Sequence, residues 1–515
     1  MIGYEPLELR HRYRALLPGS VRKRFHCAVL TRSGRPARSV PIDAEGAMPA
    51  PKSGSILRRP SRGTAVVGAA LGLSLVLAGC SGSNVAGGGG NGASSREDCA
   101  AFSQYGDLSG TRVTIYTSIV APEDQPHIDS YKQFEECTGT QIVYEGSKEF
   151  EAQLPVRVQA GSPPDIAYVP QPGMINTLVT QSPGAVKPAP QAVVANVDQY
   201  YSETFKSAGS VDGTLYGAPL GSNVKSYVWY SPQAFAEKGY TVPKTWEEMV
   251  ALSNRIVADG GKPWCAGIGS GDATGWPLTD WLEDVMLREN GPEVYDQWVS
   301  HAIPFNDPRV AKALDRVGSI LKNPEYVNGG LGDVSSIATT TFQDGGLPIL
   351  DGTCYMHRQA NFYAANFPEG TDISENGQAF AFELPPINPT APQTILVGSE
   401  FVVAFSDRPE VQAFQAYLSS PEWANAKAKA GSDLGQSGWI SANTGLDPNN
   451  LSNPIDKLSA EILQDQSKTF RFDGSDLMPA AVGSASFWRG MTDWITGKST
   501  TETLNFIEHS WPASS

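Results

Sequence analysis

The chain has no basic stripe with which to hold a nucleic acid. Of its 39 Lys/Arg and 54 Asp/Glu, 13 and 4 lie before Cys80, leaving 26 basic and 50 acidic residues and a net charge of −24 in the remainder. A surface of that sign repels polyphosphates and anionic headgroups and favours neutral or cationic ligands. No CxxC and no closely spaced histidines occur, so the chain offers no recognisable zinc set and no metal is expected. The glycine run Gly87 to Gly90 is followed by no Gly-Lys-Ser/Thr, which excludes a phosphate-cradling loop; no cofactor is expected. Long apolar runs are missing too. The stretch Thr64 to Cys80 falls short of the roughly 20 residues that a comfortable membrane span needs.

That stretch carries a different message. It is uncharged, it follows Arg58, Arg59 and Arg62, and it ends in small residues at Ala78 and Gly79 that would let a peptidase reach the bond before Cys80. It reads as a secretory signal segment, removed on export. Its Leu77-Ala78-Gly79-Cys80 order resembles the bacterial lipobox, which implies a lipidated Cys80 and a membrane-anchored protein outside the cytoplasm. Ser81 to Arg96 has almost nothing to bury and reads as a flexible tether over residues 80–105. Met1 to Ala47 is rich in Arg, Pro and His without apolar periodicity, so either Met48 is the true start or the leader is unusually long. Residues 1–79 are therefore expected to be absent from the mature protein.

From Thr111 the pattern repeats strand then helix. Arg112 to Thr117, Gln141 to Tyr144 and Pro163 to Val169 read as strands, with helices over Ile128 to Cys137 and Phe150 to Ala160 stopped by Gly139 and Gly161. Such alternation predicts an α/β fold with a largely parallel sheet. Ligands sit at the carboxyl ends of such strands, which points to Ser118, to Lys148 and Glu149, and to Gln171. Further on, Ser226 to Tyr230 reads as a strand, and Thr245 with Glu248 as a capping box opening a helix. Ile395 to Phe405 reads as one apolar strand, followed by helices over Arg408 to Lys429 and Ser484 to Trp494. Four cysteines remain beyond Cys80, namely Cys99, Cys137, Cys265 and Cys354. An even number in an exported chain suggests disulfides, and three pairings are open.

Taken in order, several motifs give the chain a family resemblance. They are the lipobox, Pro163-Pro164-Asp165-Ile166, and Tyr216-Gly217-Ala218-Pro219-Leu220 followed by an aromatic crossover strand. Pro243 to Met249, Asp351-Gly352, the strand Val397 to Phe405, Met478-Pro479 and Ser486-Phe487-Trp488 follow. Together they resemble the substrate-binding proteins of bacterial ABC sugar importers, the family that includes maltose-binding protein. Ala273 to Asp284 and Phe472 to Pro479 look closest to its α-glucoside-binding branch. The resemblance implies a non-enzymatic, two-lobed periplasmic-binding-protein-like α/β fold with discontinuous domains. The N-lobe would hold residues 106–221 and 404–445, and the C-lobe 226–395 and 446–515. Hinges fall near Gly221–Lys225 and Ile395–Val403. A sugar such as trehalose, maltose or sucrose would lie between the lobes, and closure would present a surface to the permease. With these lobes, Cys99–Cys137 and Cys265–Cys354 are the favoured pairs, because each lies within one lobe. A monomer is expected.

A neutral sugar needs flat aromatic surfaces for its C–H faces and paired polar groups for its hydroxyls. By position in the family, Trp276 and Trp488 would stack on sugar rings, while Trp229 and Trp246 read as core. Asp280 lies one helical turn from Trp276, and Glu400 stands beside Gly398-Ser399 in an otherwise apolar strand. Arg358 and Gln359 follow the strand Thr353 to Met356, where the family places contacts. Glu149, Gln171, Asn223 and Ser118 complete the N-lobe face. Asp165 reads as a structural carboxylate. Tyr200-Tyr201 invites comparison with iron-binding relatives, but the pair reads as a helix start typical of the sugar branch. Another solute, such as an oligosaccharide, peptide or polyamine, is the nearest alternative. A glycosidase is the alternative from another class, and it lacks support because no eight-fold βα repetition and no recognisable acid and base pair are present.

Overall fold

The computed structural model describes residues 99–512 apart from 437 and 466. The signal segment, Cys80 and most of the tether lie outside the described residues.

The first sheet is built from short strands whose β-branched and aromatic residues suit a pleated surface covered on both faces. Gln141–Gly146, Arg112–Thr117 and Ile166–Val169 run parallel, then Phe401–Ala404 and Gly217–Pro219 continue antiparallel. Val113 and Ile115 are buried against Tyr131 and Phe134 of the helix Gln125–Thr138. The ring of Phe134 stacks on Tyr417 at 4.9 Å. Asp165 has the structural role expected: its carboxylate accepts from the Thr114 backbone N–H at 2.9 Å and pairs with Arg408 at 2.7 Å. A disulfide joins Cys99 to Cys137, at the end of that first helix.

A second sheet orders Phe380–Glu383, Tyr227–Tyr230, Cys354–Arg358 and Lys262–Trp264. It is antiparallel except between Cys354–Arg358 and Lys262–Trp264, so the parallel habit expected of the chain holds fully for its first three strands and only for single pairs beyond them. A disulfide between Cys265 and Cys354 ties the parallel pair. Trp229 and Trp246 are buried here as core residues, and the Trp229 indole donates to the Gln359 carbonyl at 3.0 Å. The third sheet, Thr469–Phe472, Thr394–Gly398 and Asn223–Val224, lies where the chain crosses between the other two.

Four predicted elements come out differently. The apolar run 395–405 is two strands, Thr394–Gly398 and Phe401–Ala404, each in its own sheet. Gly398 ends the first of them, and a Cβ there would sit 2.8 Å from Lys225 Cε. The long helix expected over 408–429 is interrupted at Ser419-Ser420: Pro421 cannot continue the first helix and instead starts Pro421–Asp433, with Ser420 as its cap. At Thr245 only half the capping box forms. Its hydroxyl accepts from Glu248 N–H at 3.1 Å, while the Glu248 carboxylate accepts from Lys244 N–H at 2.6 Å rather than from Thr245. Tyr200 closes the helix Gln191–Tyr200 and does not open one.

Candidate ligand-binding site

One cavity gathers residues from the first and third sheets and from the helices beside them. Ser118 reaches it from the end of Arg112–Thr117, and Gln171 from the turn after Ile166–Val169. Asn223 and Glu400 come from the two crossing segments, Trp276 from the start of the helix Trp276–Asn290, and Trp488 from the start of Trp488–Ile495. Two other segments close on each other nearby: Lys148 packs on Gly271, whose missing Cβ would lie 2.8 Å from the Lys148 carbonyl.

Six of the ten expected side chains therefore line the cavity, and four do not. Glu149 precedes the helix Phe150–Gln159 and is exposed. Its turn sends Phe150 into the core and Glu151 to the cavity, where Glu151 accepts from Gln171 Nε2 at 3.4 Å. Asp280 and Arg358 are buried beneath the wall and paired with each other at 3.1 Å; Arg358 also pairs with Asp284 at 2.6 Å. Gln359 folds back on its own chain, its Oε1 accepting from the Ala360 N–H at 2.8 Å. Asp280 and Arg358 are consumed by the interior, and sequence position alone does not separate a wall residue from the layer behind it.

The two expected tryptophans are brought together by a glycine. Gly275 has φ +117°, and a Cβ at that position would lie 2.2 Å from the Trp488 carbonyl oxygen. Only glycine allows the helix carrying Trp276 to start directly against the segment carrying Trp488. Trp276 is half-buried, with Phe342 at 5.1 Å and Phe362 at 6.0 Å, and its ring lies 5.6 Å from Lys225 Nζ.

Lys225 itself was not expected. Its ammonium contacts Asp473, sits 3.3 Å from Asp280 and 3.7 Å from Asp476, and all four residues are buried. Burial opposes the charge on Lys225, but the three carboxylates outweigh it and hold its pKa well above the usual lysine range. Burial likewise opposes Asp473 ionisation, and the Lys225 charge overrides it, keeping that carboxyl below its usual value. Among the described residues, Asp280, Glu283 and Asp473 form the one group close enough to share a cation. The Lys225 ammonium already lies on two of them, and Glu283 accepts from the Gly474 and Ser475 N–H groups at 2.8 and 3.0 Å. The cluster is internally satisfied.

The opposite end of the cavity is arranged otherwise. Here Trp439, Lys427, Glu123, Asp456 and His127 line the wall, none of them anticipated. Lys427, on Pro421–Asp433, falls in a helix that reads as surface by composition. Asp456 is 5% exposed, and its carboxylate accepts from Gly438 N–H at 2.6 Å. Burial pushes its pKa from 3.8 up to about 7, only partly offset by Gly438 and Lys427. A carboxyl with a raised folded pKa favours the folded state most below its unfolded value, and that contribution is lost as pH rises from about 4 to about 7. Asp456→Asn removes the penalty. The ligand-free variant should therefore be more stable than the parent at pH 8, by about 2 kcal/mol, with the difference shrinking as pH falls to about 4. Thermal unfolding across that range checks it; a difference independent of pH would contradict the assignment.

Seven side-chain atoms lining the cavity are buried without a partner among the described residues. At the Trp276 end they are Gln171 Oε1, Gln343 Oε1 and Trp488 Nε1; at the Trp439 end they are Trp439 Nε1, His127 Nδ1, Glu400 Oε2 and Gln436 Oε1. Buried polar atoms are nearly always paired, since an unmade bond costs about 1–3 kcal/mol. Donors and acceptors left open together, beside indole and phenyl faces, fit a ligand that offers hydroxyls and C–H surfaces at once.

Comparison with known proteins agrees with the geometry. The model of the bacterial extracellular solute-binding protein family matches residues 120–425. Over 410 residues the chain is 41% identical to the osmoprotective compounds-binding protein GgtB of Synechocystis sp., covering 79% of this chain and 94% of that one. It is 36% identical to the alpha-glucosides-binding periplasmic protein AglE of Rhizobium meliloti, covering 80% of this chain and 89% of the relative. Among solved structures it shares the fold of the bacterial solute receptor AcbH, with a TM-score of 0.65 at 20% identity over 78% of this chain and 98% of the other. Maltose-bound MalE3 of T. maritima gives 0.58 at 14% identity over 78% and 98%.

Proposed function

The chain belongs to the bacterial extracellular solute-binding protein family, as the substrate-binding component of an ABC sugar transporter, and on that premise we propose that its cargo is an α-glucoside. The protein is not an enzyme; it works outside the cytoplasm with a carbohydrate ligand and permease partners. No helix among the described residues is long and apolar enough to cross a membrane. In our reading the mature chain is a monomer held at the membrane by a lipid on Cys80, with residues 106–221 and 404–445 as one lobe and 226–395 and 446–515 as the other. A trehalose-, maltose- or sucrose-type sugar is enclosed between them, with Trp276 and Trp488 against its rings and Ser118, Gln171, Asn223 and Glu400 bonding its hydroxyls.

The observation that carries this reading is the set of seven buried, unpartnered polar atoms around an aromatic-lined cavity. AglE, 36% identical, is a binder of α-glucosides by name, which supports the same ligand class here. Thermal unfolding of the mature chain against trehalose, maltose, sucrose, β-glucosides and xylo-oligosaccharides tests it. A ligand at a hundred times its dissociation constant adds about 2.7 kcal/mol. Stabilisation by one or more α-glucosides is expected; a response to β-glucosides or xylo-oligosaccharides alone would overturn the ligand class.

A further inference from the structure

The two ends of the cavity differ in kind. At the Trp276 end the lysine is saturated with carboxylates, whereas at the Trp439 end it is not. Lys427 is 2% exposed, its Nζ lies 4.2 Å from the centre of the Trp439 ring, and among the described residues it makes no ion pair or hydrogen bond. The indole N–H of the same Trp439 is buried and unpartnered. With the ammonium over its ring, Trp439 offers this end a donor more than a stacking face.

The charged and titratable groups facing Lys427 are Glu123 ahead of the helix Gln125–Thr138, His127 within it, Glu400 on the crossing segment, and Asp456 on Pro454–Gln464. Glu400 keeps one oxygen free, its other accepting from Asn223 Nδ2 at 3.1 Å. Donors and acceptors thus alternate around one small volume. A hydroxyl serves both, since it donates to a carboxylate and accepts from an ammonium or indole N–H. An apolar group would leave buried charges without partners, a heavy penalty. An anionic group would meet three carboxylates against a single ammonium whose charge burial already weakens.

The geometry points to a second subsite at Trp439 and Lys427, distinct from the Trp276 and Trp488 pair, that admits the non-glucosyl unit of the ligand only as a neutral, hydroxyl-dense group. Lys427 is then the specificity-determining residue, because it supplies the single amino-group donor among acceptors. The inference rests on the α-glucoside reading and extends it to the chemistry of the unit attached to the glucose.

Calorimetric titration of the mature chain with three probes separates the two. Methyl α-glucoside carries the glucosyl unit alone, maltitol adds a neutral polyol, and maltobionate adds the same carbon chain ending in a carboxylate. Wild type should bind maltobionate at least tenfold more weakly than maltitol. Lys427→Gln should weaken maltitol at least tenfold and methyl α-glucoside less than twofold. Trp439→Phe, which keeps an aromatic face and removes the N–H together with the fused pyrrole ring, should weaken maltitol several-fold with the same sparing of the glucoside. This variant carries the test should Lys427→Gln fail to fold. Equal losses for both neutral probes, no loss for either, or maltobionate binding as tightly as maltitol would overturn the subsite while leaving the α-glucoside reading in place. Wild type that binds neither neutral probe would overturn both.

Discussion

Replacing Lys225 with methionine should cost the ligand-free protein about 3–5 kcal/mol of stability, because it removes the cation from a buried acidic cluster and leaves the acids behind. Asp473 loses a contact, Asp280 keeps only Arg358, and Asp476 is left beside both. Two features separate this from a generic packing loss. The deficit should diminish as pH falls toward 4, where the stranded carboxyls can protonate, and a second change, Asp473→Asn, should recover part of it by removing one matching charge. Urea unfolding of the single and double variants at pH 8 and pH 4 measures both. A deficit indifferent to pH and to the second change would mean that the methylene packing of Lys225, not its charge, holds this region.

The second large effect concerns binding. Trp276→Ala and Trp488→Ala should each weaken the preferred α-glucoside at least tenfold, a few kcal/mol at most for truncating a central aromatic anchor, while the folded state persists. The two need not be equal. Trp276 is half-buried among Phe342 and Phe362, so its loss is felt mainly by the ligand. Trp488 is 3% exposed and its carbonyl lies against Gly275, so Trp488→Ala should also lower the melting temperature. Unchanged affinity in both variants would remove the tryptophan pair from the binding role and shift attention to Trp439.

Much of the fold was legible because its signals are local. The first three strands and the intervening helices follow from apolar alternation and from the stops at Gly139 and Gly161, all of which depend on neighbours within a few residues. What failed depends on long-range contact. The run 395–405 has the composition of a single strand, and only its distant partners divide it, Thr469–Phe472 and Asn223–Val224 taking the first half and Ile166–Val169 and Gly217–Pro219 the second. The same limit governs the site. Gln171, Asn223, Ser118 and Glu400 sit where strand ends and crossing points place them, and Trp276 and Trp488 where helices begin. Asp280 and Arg358 differ from them only in being one layer deeper, where each found the other. Lys225 could have been suspected, since an ammonium entering the apolar strand Ser226 to Tyr230 needs buried acids to meet it. Lys427 and Asp456 gave no such sign, being spaced like ordinary polar residues of surface helices.

The bond between Asn223 and Glu400 joins the two crossing segments, and the second oxygen of Glu400 is left open toward the cavity. On the two-lobed sugar-binding reading proposed above, one carboxylate thereby spans the joint and the cargo together. Tightness of grip and ease of release are then coupled at this residue. A laboratory variant at Glu400 intended to alter sugar preference would also alter how readily the molecule springs open. An optical sensor made from this protein would have to be tuned with both roles of that carboxylate in view, latch and touch pad.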